Sequence, residues 1–291
     1  MTTLLSEITT RLTPISDTPA LDASVLLAQI LDKPRTWVLA HAELPLTDAQ
    51  QKQLADSLAR LEGGEALPYV LGHWEFFGLE FDITPDVLIP RPETELLVEK
   101  AISWLNENPG RRTIADVGTG SGAIAVSLAV HLRDARLLAT DISHEALQVA
   151  RENALKFGVI DRIDFVQCDL LPAPFPLALC SARSMAGLEA RAFDLICANL
   201  PYIPSETLRC LPIYGREPTL ALDGGSDGLQ VIRRLLHLAP RWLTPDGVIL
   251  LEIEATRGEQ AHNLACGLFS EASIHLHQDL AGQDRLLEII L

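Results

Sequence analysis

Ile114-Ala115-Asp116-Val117-Gly118-Thr119-Gly120-Ser121-Gly122 is an apolar run of strand type that passes directly into a glycine-rich turn. A glycine motif gains chemical meaning when it joins a strand to a helix, and residues 123–131 follow with helical character. Gly118, Gly120 and Gly122 let the backbone come close to a ligand, with Thr119 between them, and Ser121 can cap the helix. The spacing is Gly-x-Gly-x-Gly rather than the Gly-x-Gly-x-x-Gly of dinucleotide folds, and the chain has no Gly-Lys-Ser/Thr phosphate loop. Asp116, just before the turn, could receive a positively charged ligand group or anchor the turn through water.

Outward from this stretch, strands and helices alternate. Strand-like runs cover 113–117, 136–140, 163–167, 193–198 and 248–253, and helical segments cover 123–131, 144–157 and 228–238. Such alternation predicts an α/β fold, a mostly parallel sheet built from right-handed βαβ units and covered on both faces. Two final runs, 272–277 and 285–290, predict a closing hairpin with an antiparallel last strand. Residues 171–191 carry little periodicity and read as an insertion in a surface loop. Asp141 ends the second strand about 20 residues past the turn, where an acid can accept from ribose hydroxyls. Asp169 and Leu170 end the third, where they can meet an adenine amino group and its ring. Three acidic strand ends without a basic phosphate clamp favour a cationic nucleoside. The expected cofactor is S-adenosylmethionine, leaving S-adenosylhomocysteine, with Asp116, Gly118, Thr119, Gly120, Ser121, Gly122, Asp141, Asp169, Leu170 and Asn199 around it.

A second stretch, Ile196-Cys197-Ala198-Asn199-Leu200-Pro201-Tyr202-Ile203, is a strand that stops abruptly. Proline cannot donate to a β-ladder, so the chain must turn there. An amide side chain, an aromatic ring and freed carbonyls are left at the carboxyl end of a strand, the edge where open α/β sheets bind ligands. Asn199-Leu200-Pro201-Tyr202 resembles the Asn-Pro-Pro-Tyr motif of methyltransferases acting on a planar nitrogen, DNA adenine-N6 and protein glutamine-N5 enzymes among them. The lone pair of such a nitrogen is delocalised. Accepting both N–H hydrogens, with the Asn199 carboxamide oxygen and the Leu200 carbonyl, would pyramidalise it and aim the lone pair at a sulfonium methyl. Pro201 and Tyr202 would flank the flat group.

The 291 residues suffice for two domains, and a hydrophobic content of 48% supplies their cores. No apolar run reaches the length of a membrane span, and the start lacks the pattern of a secretory signal. Five scattered cysteines without Cys-x-x-Cys pairing fit a reducing cytoplasm and give no zinc site. A net charge of −16 argues against binding nucleic acid through phosphates. Residues 1–67 read as a helical domain. Leu21, Val25, Ala28 and Leu31 form one expected stripe, Leu54, Leu58 and Leu61 another, and Thr47 with Gln50 a capping box. Residues 68–86 read as a β-hairpin connector, and 87–291 as the methyltransferase domain. Asp223-Gly224-Gly225-Ser226-Asp227-Gly228 also invites a calcium-loop reading, but it lacks the downstream glutamate; a turn into the next helix is expected, and no metal site.

Val87-Leu88-Ile89-Pro90-Arg91-Pro92-Glu93-Thr94-Glu95, Pro68-Tyr69-Val70-Leu71-Gly72 and the segment Glu217-Pro218 to Gly228 closely resemble the HemK/PrmC family of release-factor glutamine methyltransferases. The resemblance extends over nearly the whole chain. It implies N5-methylation of the glutamine in the Gly-Gly-Gln motif of class I peptide chain release factors. It also implies a class I methyltransferase fold, Asn199, Pro201 and Tyr202 at the catalytic centre, and Asn199, Leu200, Pro201, Tyr202 and Arg91 at the substrate. The helical domain would help to grip the release factor. Two departures stand out. Leu200 replaces the first proline of the usual motif and should leave the turn less pre-organised, and Leu170 stands where an aromatic is often found. A nucleic-acid adenine-N6 methyltransferase and a catalytically weakened release-factor or ribosome-binding module are the rival readings.

Overall fold

The computed structural model describes residues 3–41, 45–172 and 193–291. The expected insertion at 171–191 lies, apart from Leu171 and Pro172, outside the described residues. The chain divides into two compact units, Met1–Trp74 and Glu75–Leu291.

The first unit is helical: α1 (Leu4–Leu12), α2 (Pro19–Leu31), α3 (Arg35–Ala40), α4 (Asp48–Glu62) and α5 (Leu67–Leu71). The Thr47–Gln50 capping box forms, satisfying amide groups that the first turn of α4 leaves without helical partners. Leu54, Leu58 and Leu61 enter the core as expected. The stripe read for α2 is a correction. Leu21 is exposed, and the buried face is Ala23, Leu26, Leu27 and Ile30. An apolar helix offers several overlapping i, i+3, i+4 stripes, and packing against α1 selects among them. Helix α5 likewise occupies the start of the stretch read as connector, and Pro68 fits its first turn. The hairpin follows as β1 (His73–Phe76) and β2 (Leu79–Asp82). Phe77 and Gly78 between them both take positive φ, 53° and 70°, as a tight primed turn requires.

The second unit is a seven-stranded α/β sheet. Its strands are β3 (Thr113–Val117), β4 (Arg136–Asp141), β5 (Ile163–Gln167), β6 (Phe193–Ala198), β7 (Leu243–Glu252), β8 (Ser273–Gln278) and β9 (Asp284–Ile290). They lie in the order β5-β4-β3-β6-β7-β9-β8. All pairings are parallel except those of β9, which runs antiparallel to β7 and β8. Strand β7 starts five residues before the expected Val248, because Phe193 pairs with Leu243 ahead of a register shift. Alternate residues feed two cores: Ile114 and Leu195 face α6 (Glu95–Glu107) and α7 (Ala123–His131), whereas Ala115, Val117 and Ile196 face α10 (Gln230–Leu238) and α11 (Gly258–Leu268). Helix α8 (His144–Lys156) covers the β4–β5 side, and α9 (Ser205–Leu208) is a single turn.

Strand order reverses between β3 and β6, so their carboxyl ends open a crevice between two neighbours that share no crossover cover. The register pairs Asp116 with Cys197 and Val117 with Ala198. The glycine turn and the Asn-Leu-Pro-Tyr turn therefore leave the sheet side by side.

Candidate active site

The glycine turn is held by main-chain groups. The N–H groups of Gly118 and Thr119 both donate to the Thr140 carbonyl of β4, at 2.9 and 2.8 Å. Gly118, Gly120 and Gly122 have φ of 75°, 55° and 82°, a region that costs other residues roughly 1–2 kcal/mol each. Gly122, not Ser121, is the N-cap of α7 and no side chain caps this helix, which corrects the expected role of Ser121. A methyl group on Gly122 would stand 3.2 Å from the Ala150 backbone, so this glycine serves helix packing and does not line the cavity. The buried Asn153 amide, absent from the sequence reading, donates to the Ser121 carbonyl (2.9 Å) and the Asp82 carbonyl (3.0 Å), and accepts from Asp82 N–H (2.8 Å).

Above this turn is a cavity of about 240 Å³. Gly118, Thr119, Gly120, Ser121, Asp141, Asp169, Leu170, Asn199, Leu200, Pro201 and Arg91 all reach it. Asp116 does not. It is fully buried, with Oδ2 accepting from Thr119 Oγ1 (2.6 Å) and Ala125 N–H (3.1 Å) while Oδ1 has no partner among the described residues. Burial pushes its carboxyl up to about 7. Asp116 thus anchors the turn, and the alternative of receiving the ligand's positive charge is corrected. Asp141 presents its carboxylate to the cavity, each oxygen held by one backbone N–H at 2.9 Å, from Gly120 and from Ser143. Burial raises its pKa against those hydrogen bonds. Leu170 takes a φ of 67°, fixed by Thr140 Oγ1 donating to its carbonyl at 2.6 Å. The cavity's two arginines are both paired. Arg234 meets Asp169, and Arg91 meets Glu217 Oε1 at 2.6 Å. Glu217 also accepts from Ile89 N–H (3.2 Å), tying the Val87–Arg91 segment to the loop after α9.

The second turn is held from below and behind. Leu200 is 3% exposed, and a methyl group added to Gly118 would lie 3.1 Å from its Cδ2. Burial supplies a restraint that the missing proline ring does not. Ile203 N–H donates to Leu222 O (3.0 Å) and Gly224 N–H to Ile203 O (2.8 Å), a short parallel bridge. A Cβ at Gly224 would stand 2.7 Å from Tyr202 Cα, so only glycine lets this loop lie against the turn. The Asp223 side chain serves the same turn, accepting from Ser205 Oγ (2.6 Å) and Gly225 N–H (2.9 Å).

Beneath the turn lies a buried polar chain. Asn199 Nδ2 donates to Thr94 Oγ1 (3.0 Å), Thr94 donates to Glu252 Oε2 (2.5 Å), and Tyr202 Oη donates to Glu252 Oε1 (3.1 Å). Asn199 Oδ1 makes no hydrogen bond with the described residues, nor does the Leu200 carbonyl. Glu252 is 1% exposed and is pushed up to about 7 by burial, against the hydrogen bonds from Thr94 and Tyr202 and the charge of Arg285. Burial and Glu252 raise the Tyr202 phenol, so it stays a donor. Tyr202 lines a second, smaller cavity of about 170 Å³, to which Arg91 and Asn199 also belong. Asn199 thus stands where two cavities meet.

A family model described as the PrmC N-terminal domain matches residues 3–72, and one described as a methyltransferase domain matches residues 114–211. A release factor glutamine methyltransferase of Moorella thermoacetica is 42% identical over 92% of this chain and 89% of its own. Another, from Coxiella burnetii, is 38% identical over 96% and 95%. The chain belongs to the release factor glutamine methyltransferase family. As a member it is an S-adenosylmethionine-dependent methyltransferase. A methyltransferase from Pyrococcus furiosus superposes with a TM-score of 0.50 at 15% identity, over 84% of this chain and 98% of its own. The catalytic domain of hMettl16, solved with the MAT2A 3'UTR hairpin 6, gives 0.53 at 15% identity, over 84% and 83%. At that identity the likeness is one of fold.

The larger cavity fits the family's cofactor. Asp141 keeps lone pairs for hydroxyl groups, Leu170 and Ile142 give apolar walls, and neither arginine lining the cavity lacks an acidic partner. A cavity without an uncompensated cation suits a sulfonium. Among the described residues, no helix is long and apolar enough to cross a membrane. Thr94, Asn153 and Glu252 escaped the sequence reading. Glu252 left one usable signal, a lone acid in Val248-Ile249-Leu250-Leu251-Glu252-Ile253 at the ligand-binding sheet edge.

Proposed function

We propose that the chain transfers a methyl group from S-adenosylmethionine to the side-chain amide nitrogen, N5, of the glutamine in the Gly-Gly-Gln motif of class I peptide release factors. The observation that carries this reading is the polarity of Asn199. Its NH2 end is committed to Thr94, leaving Oδ1 without a partner at the junction of the two cavities. A primary amide nitrogen carries two hydrogens and a lone pair spread into its carbonyl. Asn199 Oδ1 and the Leu200 carbonyl accept those two hydrogens, localise the lone pair and stabilise the positive charge that grows on nitrogen. Pro201 and Tyr202 hold the amide plane, and Arg91, fixed by Glu217, closes one wall.

When bound, S-adenosylmethionine supplies an electrophilic methyl carbon. Gly118, Thr119, Gly120 and Ser121 would hold it through the backbone, Asp141 would accept from its ribose, and Asp169 and Leu170 would border the base. An N-methylated amide cation is strongly acidic and gives its proton to water, so no strong base is needed at the nitrogen. The 1–67 helical region serves recognition of the release factor, with 68–86 leading into the catalytic domain. Supporting this are the relatives' names and the match of residues 3–72.

The test is incubation of the purified chain with labelled S-adenosylmethionine and either a release factor or DNA, then mass spectrometry of the release-factor peptides. The expected result is a mass gain of one methylene, plus that of the label, on the motif glutamine. Label on DNA adenine, or on no protein, would overturn the reading.

A further inference from the structure

Glu252 ends β7, the strand beside β6, so its side chain arrives under the Asn199–Tyr202 turn. Both carboxylate oxygens are occupied there, one by the Thr94 hydroxyl and one by the Tyr202 hydroxyl. The consequence for Asn199 follows from counting protons. Thr94 has one hydroxyl hydrogen, and it goes to Glu252. Thr94 Oγ1 is left with lone pairs alone and can only accept. The carboxamide facing it must therefore present its NH2 end, as Asn199 does at 3.0 Å. A flipped amide would set two oxygens against each other with no hydrogen between them.

We propose that Glu252 is a positioning residue for methyl transfer: acting through Thr94 it fixes which end of the Asn199 carboxamide meets the acceptor nitrogen, and through Tyr202 it fixes the ring beside it. This rests on the reading of Asn199 as the group that grips the acceptor amide. The ionised carboxylate is the competent form, since it accepts from both hydroxyls. A protonated Glu252 donates to one of them. If that one is Thr94, the threonine proton is released toward Asn199 and the amide turns its NH2 to the cavity, where a second donor repels the acceptor's N–H. The groups bearing on Glu252 are Thr94 and Tyr202 in contact, Glu93 opposing its ionisation and Arg285 favouring it, the last also paired with Asp279 at 3.1 Å. Burial keeps its proton affinity high enough for the two forms to exchange near neutral pH. Transfer therefore falls on the acid side, although neither the carboxamide nor the phenol titrates there.

The experiment uses the full chain with a release factor and labelled S-adenosylmethionine, both saturating, from about pH 5.5 to 9. Cofactor binding is read separately as the Kd of S-adenosylhomocysteine. Glu252→Gln and Thr94→Val are expected to lower kcat on the order of 100-fold with the Kd unchanged. Thr94→Ser, which keeps the hydroxyl, recovers the activity lost in Thr94→Val together with the acid limb of kcat. In Thr94→Val the limb is flat. Should Glu252→Gln fail to fold, the two Thr94 variants carry the test alone. Wild-type kcat in Glu252→Gln, an acid limb that survives in Thr94→Val, or losses that track the fraction of protein still binding S-adenosylhomocysteine would each overturn the proposal. If wild type binds the cofactor but labels no glutamine, the acceptor reading fails first and takes this proposal with it.

Discussion

The two turns at the centre of the sheet leave neighbouring strands at the same edge, yet they are built on opposite plans. The glycine turn after β3 is positioned by main-chain groups, the Thr140 carbonyl and the Gly120 amide among them, with the side chains of Asp116, Asp141 and Asn153 in support, the last 32 residues from Ser121. The Asn-Leu-Pro-Tyr turn after β6 is positioned by side chains far away in sequence, Thr94 and Glu252, and by the backbone of the nearby 222–228 loop. A backbone cradle suits a ligand recognised by shape and a few hydroxyl groups. Orienting one amide nitrogen demands a set polarity, and polarity is transmitted by hydroxyls whose protons are committed to a carboxylate.

This contrast can be broken by substitution on either side. Asn199→Ala should abolish the grip on the acceptor and lower kcat by about 10²–10³-fold, while the Kd of S-adenosylhomocysteine stays as in wild type. Equal losses in both measurements would mean that the two turns are not functionally separate. Leu200→Ala removes a buried side chain that wedges the acceptor turn against Gly118, and should cost about 2–3 kcal/mol in denaturant unfolding. A negligible cost would leave the missing proline restraint uncompensated. Asp141→Asn belongs to the other turn and should weaken cofactor binding by roughly 1–3 kcal/mol, read by calorimetry, with kcat at saturation little changed.

Stability against pH is the last expected change. The folded state keeps the Asp116 and Glu252 protons up to about pH 7, whereas the unfolded chain releases such protons near pH 4. Between those values the folded state binds more protons, so stability falls as pH rises, by up to roughly 1.4 kcal/mol per pH unit for each group. Asp223, Asp227 and Asp279, held below the usual carboxylate range by their hydrogen bonds, act only at lower pH. Asp116→Asn should remove its share of that slope, leaving the part due to Glu252, and an unchanged slope would show that Asp116 is ionised in the fold.

The same contrast explains what could be read from the sequence. Strands 163–167 and 193–198 and helix 123–131 are legible to the residue, because apolar runs bounded by turn signals leave little freedom. Gly118 to Ser121 and Asp141 were legible as cavity residues for the same reason: their function is local. Asp116 was not, since a strand-end acid looks alike whether it faces a ligand or supports a turn, and only its burial decides. Tyr202 and Asn199 were legible as residues, but the contacts that orient them were not. Thr94 lies 105 residues from Asn199, and nothing in either neighbourhood announces the other. The stripe on α2 failed for a related reason, since its buried face is chosen by α1.

The most direct measurement is a crystal structure of the chain with S-adenosylhomocysteine and a Gly-Gly-Gln peptide. The glutamine amide nitrogen should lie within hydrogen-bonding distance, about 2.8–3.2 Å, of both Asn199 Oδ1 and the Leu200 carbonyl, with Asn199 Nδ2 still on Thr94. A glutamine held by other groups, or an Asn199 that turns its NH2 toward it, would contradict the assignment.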